Sequence, residues 1–143
     1  MPLLRPYRQE TYALLRIVVG LLFLWHGTQK LLAFPAAAPN VPAFVVYVAG
    51  PIELVGGSLI MLGLFAGWAA FLCSGLMAVA YWMVHGPRAL FPILNGGELA
   101  ALYCFVFLFI AAQGSGIWSL DALRAAESSE ADRSASFKAT TRL

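Results

Sequence analysis

Four stretches of the chain are apolar almost without interruption: about Thr11 to Leu32, Ala43 to Leu64, Gly67 to Val84 and Gly97 to Gln113. A helix of about 20 residues crosses a bilayer, so each stretch is a candidate span, the last two near the short end of the range. Inside lipid only helices and closed barrels satisfy the backbone. Continuous apolar runs, rather than alternation, exclude the barrel. The pattern predicts an all-α protein, a bundle of four transmembrane helices.

Pro and Gly place the connections. Pro35, Pro39 and Pro42 make Phe34 to Pro42 a stiff loop, since proline cannot continue a helix. Ala66-Gly67 reads as a tight turn that makes the second and third helices antiparallel neighbours. His85 to Asn95 is a longer loop with Pro87 and Pro92. After Gly114-Ser115-Gly116, Trp118 suits an interface anchor. Asp121 is then expected to cap a short surface helix ending at Ala126. From Glu127 the chain turns Ser-rich and charged, which predicts a membrane domain over residues 1–126 and a disordered tail over 127–143.

Composition agrees with a lipid-facing exterior. The 143 residues are 61% hydrophobic and 11% charged, too apolar for a small soluble domain to bury. The formal charge of +2 has no basic stripe with interleaved aromatics, so nothing suggests nucleic acid. Cys73 and Cys104 sit singly in separate apolar runs, without CxxC or metal-ligand spacing, and read as packing residues. Arg5 and Arg8 precede an apolar run and Ala36-Ala37-Ala38 resembles a cleavage site. Arg16, His26, Gln29 and Lys30 interrupt that segment, so it reads as a span and not a signal peptide. Arg5, Arg8, Arg124, Arg133, Lys138 and Arg142 flank the two termini, against Arg88 and Lys30 on the other side. The positive-inside bias therefore predicts that both ends are cytoplasmic.

Chemistry is expected from ionisable residues at membrane depth, where a charge costs at least about 2.5–3.5 kcal/mol. On the first span Arg16, Gly20, Phe23, Gly27 and Lys30 share a helical stripe with His26 beside it. Arg16 and Lys30 lie near opposite ends and are also placed to snorkel. Glu53 lies mid-span, on a face with Ala49, Gly50, Gly56 and Gly57 that invites a neighbouring backbone. Side chains tilt toward the N-terminus of their helix, and the Cα heights of residues 26 and 53 differ by only about 6 Å. A His26–Glu53 contact, direct or through water, is therefore expected, with Arg16 the weaker partner. His26, Lys30, His85, Arg88, Asn95 and Glu98 map to the outer half, near Trp25, Tyr81 and Trp82. Asn95 and Glu98 are also placed to cap the fourth helix and complement its dipole. Together they predict an outward-facing polar pocket roofed by two Pro-containing loops.

The residues Arg16-x3-Gly20-x2-Phe23-x2-His26-Gly27-x2-Lys30-Leu31, Glu53-x2-Gly56-Gly57 with Gly63-Leu64, Asn95-Gly96-Gly97-Glu98, and Gly114-x-Gly116-x-Trp118-Ser119-Leu120-Asp121 resemble the DoxX family of small bacterial membrane proteins. The resemblance covers about Tyr12 to Asp121. It implies a bacterial inner-membrane, multi-pass protein with the four-helix fold of subunits linked to thiosulfate:quinone oxidation. Family members are often labelled oxidoreductases, some of them associated with quinone or thiol stress. Many relatives carry a basic residue after the Gly-Leu that ends the second helix, where this chain has Phe65-Ala66-Gly67-Trp68.

The function this implies is a quinone-linked redox accessory subunit. His26, Glu53 and Glu98 would relay protons, and Arg16, Lys30, His85, Asn95, Trp25 and Trp82 would surround the ligand. Without a Rossmann fingerprint or CxxC, the electrons would come from a membrane or soluble partner protein or a bound cofactor. A scaffold or assembly partner of an oxidoreductase complex is the alternative, and a small-solute carrier a further one, although no inverted repeat is evident. His26 and His85 leave room for a haem or metal, but no motif supports ligation. Besides lipid, a second copy of the chain is a candidate partner.

Overall fold

The computed structural model describes residues 3–37 and 41–140. Ala38, Pro39 and Asn40 of the expected stiff loop, and Arg142 of the tail, lie outside them. A 3-10 turn, Arg5–Tyr7, leads into α1 (Arg8–Leu32). A π-helical turn, Val45–Ala49, leads into α2 (Gly50–Leu62), and α3 (Ala66–Ala80) runs on into a second one, Tyr81–His85. A single turn, α4 (Pro92–Asn95), precedes α5 (Glu98–Gln113), and α6 (Leu120–Thr140) ends the described chain. Three continuous helical segments, Arg5–Leu32, Val45–Leu62 and Ala66–His85, are long and apolar enough to cross a membrane, and α5 is a shorter apolar helix.

Glycine decides how closely the first two helices meet. A Cβ on Gly20 would lie 2.5 Å from the Met61 nitrogen and 2.9 Å from the Gly57 oxygen, and one on Gly57 would lie 2.6 Å from the Leu24 nitrogen. The helices thus touch backbone to backbone, as small residues permit in membranes. Further contacts run α2 to α3 and α3 to α5. The remaining seam, α5 against α1, is bridged by rings. Phe23 meets Phe107 with centroids 4.6 Å apart, and Tyr12 meets Phe109 at 5.8 Å. Outside, Leu14, Leu22, Phe71, Leu102 and Phe105 are at least half exposed. So broad an apolar exterior suits lipid and not water. Cys73 is buried, and the Ser74 hydroxyl donates to the Cys104 carbonyl at 2.8 Å.

Two connections differ from the sequence reading. The tight turn falls at residues 63–65, and Ala66 already opens α3. Gly63 is left-handed (φ 67), Leu64 N–H donates to Leu59 O and Gly63 N–H to Ile60 O. This bonding satisfies the Leu59 and Ile60 carbonyls near the end of α2 and needs glycine at its left-handed position. At the far end α6 continues to Thr140, past Ala126 where a helix end is expected. Its alanines, leucines, arginines and glutamates favour helix strongly enough to outweigh the serines. Its cap is Ser119, whose hydroxyl oxygen accepts the Ala122 N–H at 3.2 Å, and not Asp121.

Candidate functional site

Polar groups inside the bundle gather at two ends. The start of α1, the α2–α3 turn, the end of α5 and the start of α6 form the terminus end. The end of α1, both π-helical turns, α4 and the start of α5 form the loop end.

Arg16 organises the terminus end. It is fully buried, and Nη1 donates to Ile60 O (2.6 Å) and Met61 O (2.9 Å), while Nη2 donates to Trp118 O (2.7 Å) and Ile117 O (3.3 Å). The final carbonyls of a helix lack intrahelical partners and carry the negative end of its dipole. A guanidinium fork answers both needs for α2 and ties in the loop before α6. Around it, Asp121 Oδ2 accepts the Phe65 N–H (2.8 Å) and the Ser115 hydroxyl (2.6 Å), and the Tyr12 hydroxyl donates to Gly114 O (2.5 Å). Arg16 therefore neither snorkels nor joins the pocket.

The loop end holds a cavity of ≈ 270 Å³ whose polar lining is His26, Lys30, Glu53, His85 and Tyr103. Lys30 Nζ is 2.5 Å from Glu53 Oε2, with the side chains 13% and 5% exposed. Glu53 thus pairs with Lys30, one turn beyond His26, because the four-carbon stem of lysine reaches back along the tilt of α1 side chains. His26 instead sets its ring edge-on to Tyr103, with centroids 6.0 Å apart. The His85 Nδ1 lies 3.1 Å from Asn95 O. A carbonyl only accepts, so Nδ1 carries the proton of this bond. Val45 and Ala49 of one π-helical turn, and Val84 and His85 of the other, also line the cavity. Such turns are rare and cluster at functional sites.

The other expected site residues lie off this cavity. Buried Asn95 is a loop brace: Nδ2 donates to Ala89 O (2.9 Å) and the Tyr81 hydroxyl (3.3 Å), and Oδ1 accepts the Gly97 N–H (2.7 Å). That last bond lies just ahead of α5, close to the cap that its sequence position suggests. Glu98 is exposed in the first turn of α5, where it complements the dipole. Trp25 packs on Phe34 at 5.6 Å, and Trp82 sets its ring edge-on to Tyr81 at 5.3 Å with its outer face open. Arg88 is exposed. Tyr103 is the residue that sequence reasoning missed. Its only signal is a hydroxyl-bearing ring in the middle of an otherwise apolar span, which an all-round apolar helix does not assign to a face. Among the described residues no group of three or more His, Cys, Asp or Glu is arranged to hold a metal ion.

The DoxX family profile matches residues 11–86. An uncharacterized protein of Haemophilus influenzae (strain ATCC 51907 / DSM 11121 / KW20 / Rd) is 45% identical over 125 residues, covering 82% of this chain and 93% of the relative. A protein of Bacillus subtilis (strain 168) named "Putative oxidoreductase CatD" is 27% identical over 113 residues, covering 76% of this chain and 82% of that one. No solved structure gives a significant match.

Proposed function

The chain belongs to the DoxX family, and from that premise we propose that it is a quinone-linked redox accessory protein of the bacterial inner membrane, with the loop-end cavity as its ligand site. The carrying observation is a Lys30–Glu53 ion pair set with two histidines in the wall of a cavity inside an apolar bundle. Intramembrane ionisable groups are costly, and they persist where they move protons or hold ligands. The oxidoreductase name of the Bacillus subtilis relative supports a redox setting.

The cavity suits a flat ring with polar edges. At ≈ 270 Å³ it lies just below the usual range for small-molecule sites, about 300–1,000 Å³. It has room for a quinone ring and none for a long isoprenoid tail, which would remain among the lipids. The Tyr103 and Phe23 rings add aromatic surface to its wall. The Lys30 ammonium and the imidazoles offer hydrogen bonds to carbonyl oxygens. A bound quinone supplies two-electron, two-proton chemistry. Glu53 holds or yields a proton beside Lys30, and the imidazoles of His26 and His85 pass protons between the cavity and the loops. Electrons come from a partner protein. The Arg and Lys bias toward the terminus end supports placing both termini in the cytoplasm and the cavity toward the outer face.

A scaffold reading has its own support, because α6 is exposed along its described side chains from Ala122 onward. A docked partner would use it. The two readings combine if that partner is the electron donor.

Titration of the purified protein with a short-chain quinone, read by native mass spectrometry, tests the site. Wild type should retain the quinone, and H26A, K30M and E53Q should each weaken it at least about tenfold, the worth of one charge-assisted hydrogen bond. Equal binding by all four proteins would remove the cavity as the quinone site.

A further inference from the structure

The α1–α5 seam opens at the terminus end into two adjoining grooves, which share Arg8, Tyr12 and Phe109 as lining. One, of ≈ 590 Å³, has a mixed lining, with Gln9, Gln113 and Gly116 in its wall beside Ile117. The other, of ≈ 450 Å³, is mostly apolar, with Leu4, Thr11 and Leu15 beside Arg5. Neither is lined by Asp or Glu, and among the described residues neither Arg5 nor Arg8 forms a salt bridge. The nearby Asp121 carboxylate is already engaged by Phe65 and Ser115. Two unpaired guanidinium groups therefore stand where the apolar exterior of the bundle gives way to polar loops.

We propose that these grooves form one binding site for an anionic phospholipid. Arg5 and Arg8 hold the headgroup charge, with the Gln9 and Gln113 amides beside it. One acyl chain descends past Leu15 and the Phe109 ring. Charge complementarity selects the occupant: a zwitterionic lipid brings its own cation to the two arginines, whereas an anionic one leaves a net negative charge to meet them. The mix of polar and apolar lining selects a lipid over a free anion, since a small anion leaves the apolar groove empty. The site lies at the opposite end of the bundle from the ion-paired cavity and is independent of what that cavity binds.

Native mass spectrometry of the full chain in mild detergent tests the site, with phosphatidylglycerol and phosphatidylcholine titrated separately at low ionic strength. Wild type should retain phosphatidylglycerol in preference to phosphatidylcholine, and added salt should erode that preference. A basic residue near an anionic headgroup is worth about fivefold in affinity, so R5A/R8A together should lose about 25-fold for phosphatidylglycerol. R5K/R8K should keep most of the binding, and R124A, which alters another arginine of the same end, should keep all of it. Equal retention of both lipids by wild type, or undiminished phosphatidylglycerol binding by a folded R5A/R8A protein, would overturn the site. Inorganic phosphate at millimolar concentration should neither be retained nor displace the lipid. Displacement would assign the arginines to a free anion and overturn the lipid occupant.

Discussion

The two polar ends of this bundle solve the cost of buried charge in opposite ways. At the terminus end the hydrogen bonds of Arg16 all go to neutral backbone carbonyls, of α2 and of the loop before α6. At the loop end Lys30 meets an opposite charge, and the pair stands in the wall of a cavity. Backbone carbonyls cannot be removed by mutation, whereas a carboxylate can. The first arrangement is therefore a fixed clamp, and the second is a pair whose members are worth different amounts alone and together. Fixity suits architecture, while a removable, protonatable pair suits chemistry.

The largest expected effect is at the clamp. R16M strands the bonded carbonyls in a buried setting and should cost about 5 kcal/mol, measured as loss of folded protein in thermal unfolding in detergent. R16K should recover little, because an ammonium lacks the planar fork that reaches two segments at once. If R16K melts like wild type, the clamp is a simple charge effect and the contrast fails.

Next comes the pair. K30M and E53Q should each cost about 3 kcal/mol by leaving a partner without its counterpart, while K30M/E53Q should cost clearly less than their sum. The double-mutant cycle reads this directly. Additive losses would mean that the two side chains do not stabilise one another. No second substitution is expected to compensate R16M in the same way.

The backbone contact between α1 and α2 holds the two ends in register. G57V should cost about 2 kcal/mol through overpacking against Leu24, and it should weaken both ends together, whereas K30M should leave the terminus end intact. Hydrogen exchange at the α2–α3 turn distinguishes these outcomes. The smallest effect is expected from Y12F, about 1 kcal/mol for the hydroxyl bond to Gly114 O. Because that bond braces the terminus end alone, quinone retention at the cavity should be unchanged.

Much of the loop-end site was legible in the chain, since His26, Lys30, Glu53 and His85 stand out as ionisable residues in or beside apolar runs. Their pairing was not. Helical tilt and rise bring residues 26 and 53 to similar depth, but they do not say that a long flexible amine reaches the same carboxylate first. Asn95 and Glu98 fall at the right end of the bundle by position, and only the bonds of Asn95 reveal a brace. Arg16 shares a stripe with Lys30, yet it works at the other end because the two are separated by the length of the span.

Hydrophobic runs, glycine stripes and proline positions determined the helices and the polar residues between them, because backbone burial in lipid leaves few alternatives. The π-helical turns, the Tyr103 ring and the separation of Arg16 from the cavity were decided by tertiary structure. These depend on how far side chains reach across seams between helices, and no one-dimensional pattern encodes the width of a seam. In the α1–α5 seam, rings fill a gap that glycine closes between α1 and α2, and both the cavity and the lipid groove arise where that filling stops.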